Sequence, residues 1–242
     1  MKAWLKSVWN KETFYPSYSI GIWINPHFIN RRGLIKGVRE ISGKFQGGKL
    51  LDVGCGSKPY ETMFGVDEYI GIDIEVSGHN HADSKIDKFY DGKNVPFADS
   101  EFDYVFSSQV FEHVFNIDEL LDEINRVLKQ GGKLGFTAPF IWEEHEHPFD
   151  FWRYTSFAIE KMLAKHGFEL IQCHKSTGYF ETVMQMLSTY ISQHMLPRNK
   201  YLNLILQPIF VAPINIIGIV LGAVLPKNNN FYLDNIVIAK KI

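Results

Sequence analysis

The chain has 242 residues, of which 45% are hydrophobic and 21% charged, with a formal net charge of −2 at pH 7. This is enough for one large domain with a sizeable core, or for one domain with an appendage. The balanced charge gives no basic footprint, so the composition argues against a general electrostatic nucleic-acid binder. Cys55 and Cys173 provide no disulfide framework, which favours a reducing compartment. Because MKAWLKSVWNKE lacks the apolar run of a signal peptide, we expect a cytoplasmic protein.

The first 46 residues are predicted to form an N-terminal aromatic arm and a helix. The helix should cover about residues 25–46 and end at Gly47 and Gly48. The arm is either a cap over the following domain or a segment that simply packs on the core. Its aromatic residues are Trp4, Trp9, Phe14, Tyr15, Tyr18, Trp23 and Phe28.

Strands and helices alternate from residue 49 onwards. One predicted helix has Asn116 as its N-cap and stops at Gly131 and Gly132, and another covers 156–166. The alternation predicts an α/β, Rossmann-like, seven-stranded, mostly parallel sheet with helices on both faces. Residues 47–174 plus 228–242 would form this core, with a helical apolar insertion, 175–227, between strands six and seven. The predicted strands are 49–53, 69–74, 86–90, 102–107, 133–137, 168–174 and 231–240.

The loop after the first predicted strand, in LDVGCGSKPY (51–60), resembles a nucleotide-binding turn. Gly54 and Gly56 fit G-x-G, but Pro59 stands where a dinucleotide site needs its third Gly or Ala, and no Walker frame surrounds Lys58. Glycines let a ligand approach the backbone closely. Asp52 would favour a cationic group on that ligand and disfavour a pyrophosphate. Cys55 is predicted to be a small filler, because nothing nearby in the sequence activates its thiol.

Two further acids follow the next strands. Asp73, in GIDIE, lies 21 residues beyond Asp52, and an acid at that position can accept both hydroxyls of a ribose. Asp91 follows the third strand in YDGKNVPF. Each acid could also be an ordinary solvated residue at a strand end. Taken together, however, they indicate a ligand with a cationic amine and a ribose but no phosphate, and S-adenosylmethionine fits that description.

Four segments resemble the class I S-adenosylmethionine-dependent methyltransferases, and most closely the group that includes ubiquinone-biosynthesis and envelope-glycan methyltransferases. The segments are LLDVGCGSKPY, GIDIE, YDGKNVPFADSEFDYVFSSQVFEHV and EINRVLKQGGKLGFTAPF, and a downstream RYT and HGFE extend the resemblance to about residue 170. The resemblance implies a cofactor site with these members: Asp52 at the methionine end, Gly54 and Gly56 beneath the cofactor, Asp73 at the ribose, Asp91 and Gly92 beside the adenine, and Ser107, Ser108 and Gln109 facing the methyl group and the methionine moiety. Cys55 and Ile74 are also predicted to contact the cofactor.

Methyl transfer from a sulfonium is an in-line displacement in which the protein mainly positions the acceptor, although oxygen acceptors often need a general base. Glu112 and His113, in QVFEHV, could supply that base or could brace the following helix. Residues 143–155, EEHEHPFDFWRYT, offer His145 as a base, with Arg153 and Tyr154 orienting a polar acceptor. The same stretch could instead be a loop that closes over the cofactor. We predict His145, His113 and Arg153 as the catalytic residues.

A metal site is a further reading of residues 143–155, because His145-x-His147 could bind zinc. No second ligand pair lies at zinc-finger spacing, and Cys173 is isolated. The sequence therefore predicts no metal.

Residues 202–225 are 24 consecutive residues without a charge, and Arg198, Lys200 and Lys227 flank them. Their length is that of a membrane span. A single crossing would leave the last strand on the wrong side of the membrane, and Pro208 and Pro213 interrupt a straight helix. We therefore predict peripheral contact with the inner face of a membrane. A buried helix pair or one that forms a homodimer is the alternative.

The function predicted from the sequence is S-adenosylmethionine-dependent methyl transfer to a small or a lipid- or glycan-linked acceptor, at oxygen. The alternatives are a C- or N-methyltransferase, and a non-catalytic S-adenosylmethionine-binding scaffold in an envelope-assembly complex. A nicotinamide dehydrogenase is a more distant alternative, which a titration with NAD would identify.

Overall fold

The computed structural model describes residues 11–75, 84–197 and 199–242. The chain divides into two compact units. Unit 1 comprises Met1–Lys36 and Lys175–Leu233, and unit 2 comprises Gly37–His174 and Asp234–Ile242. The predicted boundaries, 1–46, 47–174 plus 228–242 and 175–227, stay a prediction. Trp4 and Trp9 of the predicted arm lie outside the described residues.

A seven-stranded sheet forms the centre of unit 2 and confirms the predicted fold class. Its spatial order is β3-β2-β1-β4-β5-β7-β6. The first five strands pair in parallel, and β7 pairs antiparallel with β5. The order reverses at β1, which lies between β2 and β4, and ligands of such sheets bind beside that point at the carboxyl ends of the strands. The strands are β1 (Lys49–Val53), β2 (Glu68–Ile74), β3 (Lys88–Tyr90), β4 (Phe102–Ser108), β5 (Leu128–Pro139), β6 (Phe168–Lys175) and β7 (Asp234–Lys241).

The described helices largely follow their predicted positions. The side chain of Thr155 caps the start of α4 by accepting a hydrogen bond from the Ala158 amide, at 3.1 Å. Short 3₁₀ turns cover Glu61–Met63 and Phe111–His113, and a π-helical turn covers Ile191–Met195. The α-helices are α1 (Gly21–Ile24), α2 (Phe28–Ser42), α3 (Ile117–Val127), α4 (Ser156–Lys165), α5 (Tyr179–Tyr190), α6 (Lys200–Phe210) and α7 (Ala212–Val224).

Several element boundaries differ from prediction, including the end of α2 at Ser42 and the start of β3 at Lys88. The helix expected from residue 25 begins at Phe28, after Pro26 has ended the preceding turn. Strand β5 begins at Leu128 rather than at 133, because the two glycines at 131 and 132 form a bulge within it instead of a loop before it. The pairing jumps there from Phe102–Leu128 to Tyr104–Lys133. Strand β7 starts at Asp234, three residues later than expected.

The core of unit 2 is built from the apolar stripe of α3 and the sheet. Leu120, Leu121, Ile124 and Val127 are all fully buried and join one cluster with residues of the central strands. Because the strands are buried over most of their length, their polar residues concentrate at the ends. This arrangement gathers Asp52, Asp73 and Ser108 at one edge of the sheet.

Helix α5 of unit 1 buries polar side chains and exposes apolar ones. On α5 the buried positions are Thr182, Gln185, Ser188 and Thr189, whereas Tyr179, Val183, Leu187 and Tyr190 are exposed. The Gln185 amide donates to the Pro26 carbonyl at 2.8 Å, and its Oε1 accepts from the Asn30 amide at 3.0 Å. This distribution is the reverse of the usual amphipathic helix.

The last two helices of unit 1 also bury polar side chains, although α7 buries Ala212 and Ile214 as well. Asn215, on α7, is fully buried and donates to the Ile22 and Asn25 carbonyls, at 3.0 and 3.1 Å. Residues Tyr201–Val224 have a mean hydropathy of 2.3 and are long and apolar enough to cross a membrane by length and composition. A third of the most apolar stretch is buried. The exposed residues of α6 and α7 include Leu202, Ile205, Ile209, Phe210, Val220 and Val224.

Candidate active site

The turn after β1 has its backbone exposed on one side. Gly54 and Gly56 both adopt left-handed conformations, with φ of +76° and +48°. A Cβ on Gly54 would lie 2.4 Å from a Val110 methyl carbon, so only glycine fits there, whereas a Cβ on Gly56 would meet nothing within 4 Å. Cys55, between them, is buried against Gly71, and burial raises the pKa of its thiol. The open space beside Gly56 is therefore where a ligand can approach the main chain.

Asp73, at the end of β2, is bound to this turn. Its Oδ2 accepts a hydrogen bond from the Gly56 amide at 3.0 Å, and its Oδ1 accepts from the Ile74 amide at 2.8 Å. The carboxylate thus holds the ends of β1 and β2 together and fixes the position of the glycine turn. Asp73 and Asp52 therefore lie on adjacent parallel strands, β2 and β1.

Asp52 is almost completely buried, with 4% of its surface exposed. Burial raises its pKa to about 7, although the hydroxyl of Tyr69, which donates at 2.6 Å, and the charge of Lys58 both act against that rise. The register pairs Asp52 with Gly71. Tyr69 lies two residues before Gly71 on the same face of β2, so its hydroxyl can reach Asp52. Asp52 is therefore poised between its neutral and ionised forms near neutral pH, and a cation placed beside it would favour the ionised form.

Lys58 and Asp87 form a clamp that sequence reasoning missed, in which the lysine is buried and the carboxylate is exposed. Lys58 has a left-handed backbone, with φ of +51°, and is 7% exposed. Its ammonium binds Asp87, and the same carboxylate oxygen accepts from the Gly71 amide at 2.7 Å. The clamp joins the glycine turn to the residue before β3. No sequence pattern connects two residues 29 positions apart, so only the folded chain reveals the pair.

Asp91 and Gly92 follow β3 at the same edge. The carboxylate of Asp91 accepts hydrogen bonds from the amide and side chain of Asn94 and from the Lys93 amide, which lowers its pKa to about 2. Asp91 is exposed and shapes its own turn. Gly92 has φ of +80°, and a Cβ there would lie 3.6 Å from the Ile74 side chain. Gly92 therefore adjoins Ile74.

Ser108 and Gln109 end β4 opposite the glycine turn. The Ser108 hydroxyl lies 2.8 Å from the hydroxyl of Thr137 on β5, and the Gln109 amide donates to the Thr137 carbonyl at 3.0 Å. Gln109 has φ of +57°, a conformation that costs a non-glycine residue free energy and is often found at functional sites. Ser107 is buried, and its hydroxyl donates to the Val53 carbonyl. Thr137 is a further member of this edge that sequence reasoning missed.

The segments after β4 and β5 are bound to each other. The amides of Phe151 and Trp152 donate to the Glu112 carbonyl, at 2.9 and 3.2 Å. The His113 Nδ1 lies 2.6 Å from the Phe149 carbonyl oxygen. These contacts bring His113 and His145 together with their ring centroids 4.8 Å apart, although 32 residues separate them in the sequence.

Glu112 is fully buried beneath these rings. Neither of its carboxylate oxygens has a hydrogen-bond partner within the described parts of the chain, and burial raises its pKa well above the ordinary value. Its Oε1 lies 3.9 Å from the His113 Nε2. An unpaired buried carboxyl group is costly, so its presence at this edge requires an explanation beyond packing.

Arg153 fixes the conformation of the loop after β5. Its guanidinium binds both carboxylate oxygens of Asp150, at 2.6 and 2.7 Å, and donates to the carbonyls of Trp142, Glu143 and Trp152. Asp150, whose side chain is 3% exposed, also accepts from the His145 amide at 2.9 Å. Tyr154 donates to the Phe111 carbonyl at 3.0 Å. Arg153 and Tyr154 therefore hold loop atoms, while their predicted role toward an acceptor stays a prediction.

Comparisons with known proteins agree with this geometry. Residues 51–136 match the methyltransferase domain family. The chain is 34% identical to demethylmenaquinone methyltransferase of Staphylococcus saprophyticus over 109 residues, which are 40% of this chain and 46% of that enzyme. It is 30% identical to phosphoethanolamine N-methyltransferase 2 of Caenorhabditis elegans over 127 residues, 46% of this chain and 29% of that enzyme. The chain thus covers less than half the length of each enzyme.

Solved structures show the same fold. Phosphoethanolamine N-methyltransferase 2 of Haemonchus contortus, in complex with S-adenosyl-L-methionine, aligns with a TM-score of 0.52 and 20% identity over 84% of this chain and 52% of that chain. A chain of the complex between the Haloferax volcanii Trm112 methyltransferase activator and a methyltransferase aligns with a TM-score of 0.55 and 16% identity over 88% and 91%. The [4+2]-cyclase SpnF aligns with a TM-score of 0.54 and 20% identity over 87% and 80%.

The chain carries a class I S-adenosylmethionine-dependent methyltransferase domain. The matched segment begins in β1 and ends in β5, so it contains the glycine turn, Asp73 and the His113 turn. His145 and Arg153 lie beyond it. The methyltransferase's cofactor is therefore S-adenosylmethionine, while the individual cofactor-binding and catalytic residues stay predictions. Those predicted for the cofactor gather at the carboxyl edge of β1 to β4, and His113 and His145 meet beside one another.

Proposed function

We propose that this methyltransferase transfers a methyl group to an oxygen of a small or a lipid- or glycan-linked acceptor. The cofactor half of the proposal depends mainly on the junction in which Asp73 accepts from the Gly56 amide. That junction aligns an acid able to bind a ribose with a main chain that a ligand can approach. Asp52 would meet the positively charged methionine end, and Gly92 with Ile74 would flank the adenine.

The preference for oxygen comes from the groups after β4 and β5. The Nδ1 of His113 is turned to a carbonyl oxygen, which favours a proton on Nδ1 and leaves Nε2 able to accept a proton. Hydroxyl acceptors benefit from such a base, whereas many carbon and nitrogen acceptors are nucleophilic without one. C- and N-methyl transfer are the alternatives, because the similar enzymes include an N-methyltransferase and a sterol 24-C-methyltransferase of Schizosaccharomyces pombe.

Calorimetric titration with S-adenosylmethionine and with NAD tests the cofactor site. Asp73→Asn should weaken S-adenosylmethionine binding at least about 10-fold, since one hydrogen bond to a charged group contributes about 1.5–3 kcal/mol. Asp67→Asn is the matched control, because Asp67 also accepts from a glycine amide, that of Gly48, but at the amino edge of the sheet. Binding of NAD instead, or equal losses in the two variants, would contradict the proposed site.

Incubation with cofactor carrying a labelled methyl group, together with fractionated lipid and glycan extracts, tests the acceptor. Label that enters an ether or ester, and whose transfer requires His113, supports oxygen as the methylated atom. Label on carbon or nitrogen would favour the alternative chemistry. Binding of the cofactor without any transfer would favour a non-catalytic scaffold, or another reaction on this fold, as the cyclase SpnF illustrates.

We also propose that unit 1 contacts the cytoplasmic face of a membrane. The exposed side chains of α5, α6 and α7 are mainly apolar, and the buried ones include Gln185, Gln207 and Asn215. Side chains with this inverted arrangement suit an apolar surrounding. A single crossing conflicts with the topology, since the strands on either side of unit 1's second segment, β6 and β7, are neighbours in one sheet. In-plane contact satisfies both observations.

Sedimentation with phosphatidylcholine vesicles, with and without phosphatidylglycerol, tests this contact. Ile205→Lys and Val220→Lys should each reduce the vesicle-bound fraction several-fold, because both side chains are more than half exposed. Ile171→Lys is the control, since Ile171 is 52% exposed on β6 in unit 2. If none of the variants changes sedimentation but the unit 1 variants dissociate a dimer in light scattering, the apolar surface is a homodimer interface.

A further inference from the structure

We propose that Glu112, His113 and His145 form a divalent-metal site with the ligand chemistry of zinc. One ligand atom from each of the three side chains lies within 4.8 Å of the other two. Tetrahedral zinc with bonds of about 2.0–2.2 Å places its ligands about 3.3–3.5 Å apart. Side-chain rotation that closes the group by about 1.3–1.5 Å would bring the ligand atoms to this spacing. The sequence predicted no metal because only the spacing of ligands along the chain was considered there.

The buried carboxylate is the first reason to place a cation here. Glu112 has no exposed surface, and both of its oxygens lack hydrogen-bond partners among the residues that the structure describes. Buried polar groups in proteins are hydrogen-bonded, and buried charges are paired or coordinate metals, so a buried carboxyl group with neither kind of partner suits a cation. In the described ranges no arginine or lysine lies within 4.0 Å of Glu112, although the charge of Arg153 acts on it from further away, and the His113 Nε2 lies 3.9 Å from its Oε1. A metal ion would satisfy both oxygens.

The orientation of the two imidazoles is the second reason. The Nδ1 of His113 faces the Phe149 carbonyl, and the Nδ1 of His145 lies 3.2 Å from both the Glu143 carbonyl oxygen and an Asp150 carboxylate oxygen. Protons on both Nδ1 atoms therefore satisfy these acceptors and leave the Nε2 lone pairs for a ligand. Metal-binding histidines characteristically direct their other nitrogen to a carbonyl or carboxylate in this way.

The surroundings of His113 add a further donor. The Oε1 of Glu146 lies 3.6 Å from the His113 Nε2, so two carboxylates face the same nitrogen. Glu146 adopts a left-handed backbone, with φ of +51°, in reaching this position. Two histidines with one or two carboxylates are a ligand set that zinc accepts, and three protein ligands leave a position open.

Hydrogen bonds and an ion pair hold the loop that carries His145 in place. Arg153 binds both oxygens of Asp150, and Asp150 in turn faces the Nδ1 of His145. The backbone bonds from Phe151 and Trp152 to the Glu112 carbonyl tie the two ligand-bearing segments together. The bound ion would offer its open position to an acceptor oxygen and lower the pKa of a hydroxyl there. That role rests on the proposed methyl transfer, whereas metal binding does not.

The test uses the full chain after removal of metal with a chelator. Calorimetric titration with Zn²⁺, Mn²⁺ and Mg²⁺ measures stoichiometry and affinity, and the visible absorption of bound Co²⁺ reports nitrogen and oxygen coordination. We expect one Zn²⁺ per chain. His145→Ala and Glu112→Gln should weaken binding at least about 100-fold, and Asp150→Asn about 10-fold, as is usual for partners of ligands.

His147→Ala and His174→Ala are the matched controls, because both histidines are exposed and lie outside the cluster. They should bind Zn²⁺ as the native chain does. If Glu112→Gln fails to fold, His145→Ala decides, since His145 lies on a loop and is 29% exposed. Binding that is absent, or that changes less than twofold in His145→Ala, overturns the site. Titration of the metal-free chain with S-adenosylmethionine shows separately whether the cofactor proposal stands.

Discussion

Asp52→Asn should stabilise the cofactor-free protein above pH 7 while weakening its cofactor binding. The pKa of Asp52 is about 7 in the folded chain, against 3.8 for an ordinary aspartate. Each pH unit of that difference corresponds to about 1.4 kcal/mol, so ionised Asp52 destabilises the folded state by about 4 kcal/mol. Asparagine removes the charge and exchanges the charged hydrogen bond from Tyr69 for a neutral one, a loss of about 1 kcal/mol. The net gain of about 3 kcal/mol corresponds to about 6–12 °C in Tm.

The pH dependence makes this prediction specific. A carboxyl group whose pKa is raised on folding contributes its full stability below pH 3.8 and loses it as the pH rises towards 7. The difference in Tm between Asp52→Asn and the native chain should therefore grow between about pH 4 and pH 7 and remain constant above. Tyr69→Phe, which removes the hydrogen bond that favours the ionised form, should instead lower Tm more at pH 8 than at pH 4. Scanning calorimetry from pH 4 to pH 9 measures both, and a pH-independent difference, or a destabilised Asp52→Asn at pH 8, would refute the reasoning.

Four further variants test the edge of the sheet and the loop after β5. Gly56→Ala should fold with a small loss of Tm but lose cofactor affinity at least about 10-fold in calorimetry. Gly54→Ala should also lose stability, because its Cβ would collide with the Val110 side chain. Arg153→Met leaves the buried Asp150 unpaired and should lower the free energy of unfolding by about 3 kcal/mol in urea titrations. Arg153 helps to hold the pKa of Asp150 below its ordinary value in the native chain, so this loss should shrink below about pH 4, where the same group of the unfolded chain takes up a proton. Lys58→Met should weaken cofactor binding and leave Asp87 without its ion pair, and an unchanged affinity would show that the clamp does not position the glycine turn.

The sheet and its cofactor edge could be predicted because their signals are local in the sequence. Each strand is a short apolar run, and an acid or a glycine pair follows it directly, so parallel pairing alone brings Asp52, Asp73 and Gly56 to one edge. The strand order then determines which ends are adjacent. No long-range contact had to be guessed for this part of the site.

The contacts that sequence reasoning missed lie between segments far apart in the chain. Tyr69 reaches Asp52 through the register of β1 and β2, and Lys58 reaches Asp87 across the same strands. Local rules also failed where a second partner competed. Asn116 stands at the expected N-cap of α3, but its side chain donates to Glu119 and makes no capping bond to the helix. The N-cap preference of asparagine predicted its position correctly, but the hydrogen bond to Glu119 replaced the capping bond.

The acceptor side shows the same limit more strongly. His113 and His145 belong to segments that the sequence presented as alternative sources of a base, and the spacing rule for metals compared only neighbours along the chain. In the fold, the Glu112 carbonyl accepts from the amides of Phe151 and Trp152, and this pairing makes the two alternatives one cluster. The buried carboxylate beneath the rings has no counterpart in any sequence rule, because its lack of partners is a property of the packed loop. The proposed base and the proposed metal site therefore use the same three side chains rather than separate motifs. A bound metal would occupy the Nε2 lone pair of His113, so this histidine could then act as a metal ligand but not as a base.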